Sequence, residues 1–260
     1  RGSWRRCCRE DQHTPEMGAG GNTFNDVFGP TLNPWDTKLN AGGSSGGAAA
    51  SLATGEVWLS HGSDHGGSLR TPASFCGIVG LRPSPGRVPS SGPSGFATEG
   101  VQGPMARSVR DCALFLDAMS GFTPAVPVSY PWPVEGTFEA AVIEAEPKIG
   151  IAFSPDFNGM AQADTEVIDH LRNVLLRLQK EGATVEEACP ELPDLERTYH
   201  TLRGIDMATA ARRCPKEVSR HFKKTLAENM ETGRTLTMDD VADANLGRTV
   251  IFNNMVSFLE

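Results

Sequence analysis

The chain has 260 residues and a mass of 27.8 kDa, long for an average domain and within the range of one large α/β domain. Its 24 Lys and Arg against 32 Asp and Glu give a formal charge of −8 and a pI near 5.3, which argues against the basic footprint of a nucleic-acid-binding module and against polybasic attachment to a membrane surface. Mean hydropathy is −0.28 and no apolar run approaches the ~20 residues of a bilayer span, so no transmembrane helix is expected. The six cysteines (Cys7, Cys8, Cys76, Cys112, Cys189 and Cys214) include no C-x-x-C pair. They predict neither a zinc site nor a disulfide scaffold, and no metal or cofactor is expected. They read as buried free thiols of a reducing compartment, and a cytoplasmic location is the default. The basic opening residues are followed by no apolar signal-peptide core, and the chain does not begin with Met.

In chain order, residues 14–47 read as loop, because Gly18, Gly20, Gly21, Gly29, Pro30, Pro34 and the Gly42–Gly47 run break any regular element. Ala48–Ala53 predicts a short helix of small residues that stops near Gly55. Val57–Leu59 predicts a buried strand, Gly62–Gly67 a second tight loop, and Gly77–Leu81 another strand. Ser108 with Asp111 three residues on predicts a helix start, with Val109, Cys112, Leu116 and Met119 on one face and Gly121 at the stop. Lys148–Phe153 reads as a strand. Thr165 is expected to cap a helix whose stripe is Val167, Ile168, Leu171, Val174, Leu175 and Leu178, ended by Gly182. Ala183–Val185 then returns as a strand, completing a βαβ unit. Residues 192–260 read as mostly helical, with the basic residues between Arg212 and Lys224 on a solvated face. The chain stops at Phe258-Leu259-Glu260 inside an apolar stripe, which predicts a C-terminal truncation.

Two runs carry chemistry: Gly42-Gly43-Ser44-Ser45-Gly46-Gly47 and Gly62-Ser63-Asp64-His65-Gly66-Gly67-Ser68-Leu69-Arg70-Thr71-Pro72. Glycines beside a serine let the backbone approach a substrate and take dihedrals barred to other residues. Successive N–H groups in such loops form a concavity for an oxyanion. Each run alone is compatible with a plain tight turn. Together with Asp64, Arg70 and Pro72 they point to two walls of one cleft.

The stretch Gly42–Pro83 resembles the amidase signature hydrolases, enzymes built on a Ser–cis-Ser–Lys triad. The resemblance extends through Cys76-Gly77, Gly80-Leu81-Arg82-Pro83 and Gly86-Arg87. Upstream it takes in Gly21-Asn22-Thr23, Gly29-Pro30-Thr31 and Asn33-Pro34-Trp35-Asp36, and downstream Gly103-Pro104-Met105-Ala106-Arg107. It is dense over residues 14–121 and looser beyond. It implies that Ser68 is the acyl-accepting nucleophile and that Ser44, 24 residues earlier, is the bridging serine after a cis peptide bond. The backbone N–H groups of His65, Gly66, Gly67 and Ser68 would form the oxyanion hole. Asp64 and Arg70 would fix the loop by charge-assisted hydrogen bonds.

One residue departs from the resemblance. The family lysine lies well upstream of the first serine run, and of six lysines only Lys38 precedes Ser44, six residues away on a loop. The expectation is therefore a chain that lacks the catalytic lysine and is inactive as it stands, its parent a hydrolase of linear carboxamides. Residues 1–13 (four Arg, two adjacent Cys) stand where the family has an apolar strand leading into Gly-Lys-Thr-Asn. Codons shifted by one nucleotide permit that strand and motif, so this segment is expected to be a frameshifted translation that rejoins at Thr14.

The expected fold is an α/β amidase signature fold, a mixed twisted sheet with helices on both faces, incomplete at both ends. It comprises an anomalous segment 1–13 and a partial domain 14–260. A small amide is the expected partner, with a homodimer left open. A glutaminase-type subunit of an amidotransferase and a non-catalytic homologue remain as alternatives. Gly42-x-Ser44-x-Gly46 also fits a nucleophile elbow, with Asp111 and His170 available, but residues 36–41 make a poor strand to lead into it.

Overall fold

The computed structural model of the chain describes residues 13–90, 95–131 and 136–260. It forms two compact units. The first runs to Ile143 and takes in Arg203–Leu236, and the second comprises Glu144–Leu202 and Thr237–Glu260. The architecture is mixed α/β, as expected, with the strands distributed over three small sheets among the described residues.

In the first unit, β1 (Phe24–Asn25) and β2 (Gly29–Pro30) form an antiparallel ribbon within the glycine-rich opening. The small-residue helix α1 spans Gly46–Ala53, with Ala48, Ala49 and Leu52 fully buried. Those short side chains let its backbone lie close to the sheet. Strand β3 (Leu59–Asp64) starts later and runs further than expected. Its Gly62 and Ser63 pair with Gly103 and Gln102 of β5 (Val101–Ala106), so part of the presumed loop is extended ladder. Glycine is required at 62 because a Cβ there would lie 2.7 Å from the Ser45 Cβ.

Helix α2 (Arg70–Cys76) follows, closed by Gly77 in the left-handed region at φ 67°, ψ 39°. The second predicted strand shrinks to β4 (Val79–Gly80), which pairs with the Ala106 end of β5. The sheet order is therefore β3–β5–β4, antiparallel throughout. Ala41, Ala48, Ala49, Leu52, Leu69, Ala73, Cys76 and Met105 make its core. Helix α3 (Val109–Met119) starts as predicted, with the Ser108 hydroxyl accepting from the Asp111 N–H. Helix α4 (Phe138–Ile143) ends this stretch, its first N–H groups held by the Asp117 carboxylate.

The second unit holds the βαβ unit. Strands β6 (Gly150–Phe153) and β7 (Thr184–Glu187) are parallel, joined through α5 (Thr165–Lys180). Its N-cap is Asp164, with Thr165 the first helical residue, one position off the expected cap. Helix α6 (Leu195–Arg213) belongs to the first unit from Arg203 on. Helices α7 (Lys216–Ser219) and α8 (Lys224–Thr235) complete the first unit, and α9 (Met238–Leu259), opened by a Thr237–Asp240 capping box, completes the second. The predicted helicity of 192–260 is borne out. Cys76, Cys112, Cys189 and Cys214 are free thiols, the first two buried as expected and the last two only half-buried. No helix among the described residues is long and apolar enough to cross a membrane. The frameshift expectation falls almost entirely outside the described residues. His13 alone is described, its carbonyl accepting from the Gly47 N–H at 3.1 Å.

Candidate active site

The two serine runs meet at the first unit's sheet. The Ser45 N–H donates to the Ser68 carbonyl at 3.3 Å, which ties the first loop to the second. The Gly43–Ser44 peptide bond is cis. Ser44 and Ser45 are buried, whereas Ser68 is partly exposed at the end of its loop. The first loop is held from below by Thr23, itself buried. Its hydroxyl lies 2.9 Å from the Gly42 carbonyl and 3.2 Å from that of Ser44, and it accepts from the Gly46 N–H at 3.1 Å. Thr23 thus caps α1 from 23 residues away. The backbone of Asn22 presses so close that a Cβ at Gly43 would lie 2.8 Å from its carbonyl carbon.

The second loop hangs on Asp64. This carboxylate is fully buried at the end of β3 and accepts from the Gly67 N–H at 2.8 Å and the Leu69 N–H at 3.1 Å. Arg70 grips it with two nitrogens, each at 3.0 Å. Arg82 donates to both its side-chain oxygen and its carbonyl, and reaches on to the Glu99 carbonyl at 2.8 Å. Burial alone would raise the Asp64 pKa, but the Arg70 guanidinium and the two backbone donors outweigh it and hold the carboxyl well below the usual range. The Gly67 N–H, expected to face an oxyanion, is turned onto Asp64 instead.

Lys38 is exposed in the turn Asp36–Asn40, where its N–H donates to Asp36 Oδ1 at 2.9 Å. The basic cluster is not uniformly solvated. Lys223 is half-buried, and burial lowers its pKa against the opposing pull of Glu16. Asp111 serves the α3 cap and His170 is exposed on α5 in the second unit, so neither supports the nucleophile-elbow alternative. The sequence assigns no site role to Thr23, Arg82 or Asp206, and it places Lys223 on a solvated face. Thr23 and Arg82 lay inside the quoted motifs, but nothing in the one-dimensional pattern marks Asp206. Among the described residues no cluster of His, Cys, Asp and Glu could hold a metal ion.

A glycine-walled serine pair stands beside a buried carboxylate, and comparison with known proteins identifies the family. The Amidase family model matches residues 12–253, so the chain belongs to the amidase family. It is 43% identical over 183 residues to a glutamyl-tRNA(Gln) amidotransferase subunit of Moorella thermoacetica, covering 70% of this chain and 37% of that protein. It is 39% identical over 180 residues to an acylamidase of Rhodococcus erythropolis, with 69% and 37% coverage. Among solved structures, a bacterial aryl acylamidase of the amidase signature enzymes superposes with a TM-score of 0.82 at 30% identity, over 94% of this chain and 52% of that one. A 6-aminohexanoate cyclic dimer hydrolase gives 0.81 at 28% identity, over 93% and 53%. The chain thus spans about half of these solved relatives and less of the curated ones.

Proposed function

We propose that this chain carries the acylation half of an amidase that cleaves the C–N bond of a linear carboxamide through a Ser68 acyl-enzyme. The observation that supports it most is the hydrogen-bonded junction of the two serine loops, Ser45 N–H to Ser68 carbonyl, above the Asp64 anchor. In this reading Ser68 Oγ attacks the carbonyl carbon while its proton passes to Ser44 Oγ, and the Ser44 proton passes to a neutral lysine. The N–H groups of His65, Gly66 and Ser68 receive the carbonyl oxygen as it becomes an oxyanion. The C–N bond then breaks, and the proton returns along the relay to the leaving amine. Water attacks the ester, releases the carboxylic acid and restores Ser68. This reading assigns the lysine to none of these residues: Lys38 alone precedes Ser44, and it is exposed in its turn.

The name of the amidotransferase relative supports a second reading, a component that releases ammonia to a partner. Copurifying subunits and ammonia transfer rather than free ammonia would favour it. The first reading is tested in a version of the protein extended upstream through the family's lysine. Ser68→Ala is expected to abolish labelling by a fluorophosphonate probe. Unchanged labelling, with the adduct on the Ser44 peptide, would move the nucleophile there.

A further inference from the structure

The serine loops lie more than 130 residues before the helical segment 203–235, yet one side chain of that segment reaches the second loop and another reaches the 16–24 segment behind the first. Asp206 on α6 approaches His65 Nε2 at 3.2 Å, with each side chain only 18% exposed. His65 directly follows the Asp64 anchor and precedes Gly66 and Gly67, which offer no side chain to hold. The side-chain hold on this stretch from segment 203–235 is therefore taken through His65. Lys223, between α7 and α8, takes hold of the 16–24 segment instead. Its ammonium donates to the Ala19 carbonyl at 2.7 Å and stands 4.6 Å from the centre of the Phe24 ring, while its backbone N–H donates to Glu16 Oε2 at 2.8 Å.

The segment so gripped, 16–24, is the one that backs Ser44. A Cβ at Gly18 would lie 3.8 Å from Ser44 Oγ, and Thr23 holds the Gly42 and Ser44 carbonyls. Ala19 also joins Ala211, Leu226 and Met230 in a buried cluster, so apolar packing and the lysine act on the same turn. Helices α6 and α8 cross at Gly204 and Gly233, where a Cβ on Gly204 would lie 3.2 Å from the Gly233 Cα. Both grips therefore spring from one closely packed helix pair.

We propose that residues 203–235 belong to the active-site framework, with Asp206 and Lys223 as positioning residues for the Ser68 and Ser44 loops respectively. The functional meaning of this inference rests on the reading of Ser44 and Ser68 above. The structural part does not, and the experiment separates them. Backbone hydrogen exchange is followed by mass spectrometry in the 260-residue chain. Asp206→Ala is expected to speed exchange in the 62–70 segment about tenfold while 16–24 changes less than about threefold. Lys223→Met is expected to do the reverse. Asp206→Asn, which still accepts from the imidazole, and Lys223→Arg, which keeps the cation and donors, are expected to restore protection to within about threefold.

Equal exchange in all variants, a uniform rise over the whole unit, or failure of the conservative variants to restore protection would each overturn the inference. In the extended protein, Asp206→Ala should lower the kcat for an activated ester about tenfold with KM little changed. A localised exchange response without this loss of kcat would overturn the assignment to the reaction. Absence of Ser68 labelling in the unsubstituted protein would overturn only the reading of the serines.

Discussion

Replacing Asp64 by Asn keeps its shape but sets donor against donor. One amide oxygen remains to accept, while the amide NH2 is thrust at the Arg70 guanidinium, the Arg82 guanidinium or the backbone N–H groups of Gly67 and Leu69. Leaving such buried donors without an acceptor is expected to cost about 2–3 kcal/mol, well above a surface ion pair, because the carboxylate is fully buried. The same group sets a pH dependence. Its folded pKa is depressed, so its stabilisation is complete above the unfolded value of about 4 and is lost as pH falls below that toward the folded value. Urea unfolding from pH 7 to pH 3 should show the loss setting in below about pH 4 in the unsubstituted chain and a flatter profile in Asp64→Asn. A profile unchanged by the substitution would sink the assignment. Asp64 and Arg70 were legible in sequence, six residues apart in one motif. Arg82 stands in the Gly80–Pro83 run with no role legible there, since a contact across 18 residues and a strand turn has no local signature.

At the scale of elements, legibility followed amphipathicity. The apolar stripe of α5 and the capping serine of α3 announced those helices, and the parallel pairing of β6 with β7 followed from the helix between them. Strand β5 went unread because Gly103 and Pro104 sit at its centre, residues that count against a strand unless something demands them. Here Gly103 faces Gly62, and a Cβ at 103 would lie 2.6 Å from Leu69 Cδ1. The α6–α8 crossing was equally silent, since two helical glycines 29 positions apart read only as weak helix formers. Its geometry makes a firm prediction. A Cβ on Gly233 would run into the Gly204 carbonyl and stand 2.9 Å from the Ala208 Cβ. Gly233→Ala should therefore destabilise by about 1–3 kcal/mol, although alanine is the better helix former. Gly150→Ala, where nothing lies within 4 Å, should stay within about 0.5 kcal/mol of the unsubstituted chain. Paired thermal melts check both, and equal midpoints would show that the helices do not pack this closely.

For the whole molecule, the proposed serine relay and its need for a lysine give opposite expectations for activity, and magnitude decides between them. Both serines and the Asp64-anchored loop are present, but a serine hydroxyl is a weak nucleophile without an adjacent base. General-base assistance is worth about 10²–10⁴-fold. Lys38 is exposed in its turn, and the Lys223 ammonium is taken up by the Ala19 carbonyl and the Phe24 ring. Apolar surface weighs the same way. Val167 and Leu171 on α5 are 51% and 45% exposed, and Leu246, Phe252 and Leu259 on α9 are 68%, 66% and 73% exposed. Exposed faces of this kind promote association. The 260-residue chain is therefore expected to hydrolyse simple aliphatic and aryl amides no faster than its Ser68→Ala variant, and to self-associate on size-exclusion chromatography as its concentration rises. Ser68-dependent amide turnover by the purified chain, at a rate clearly above that of the variant, would overturn this expectation. It would also require a base within these residues, and Lys38→Met would be the first substitution to make.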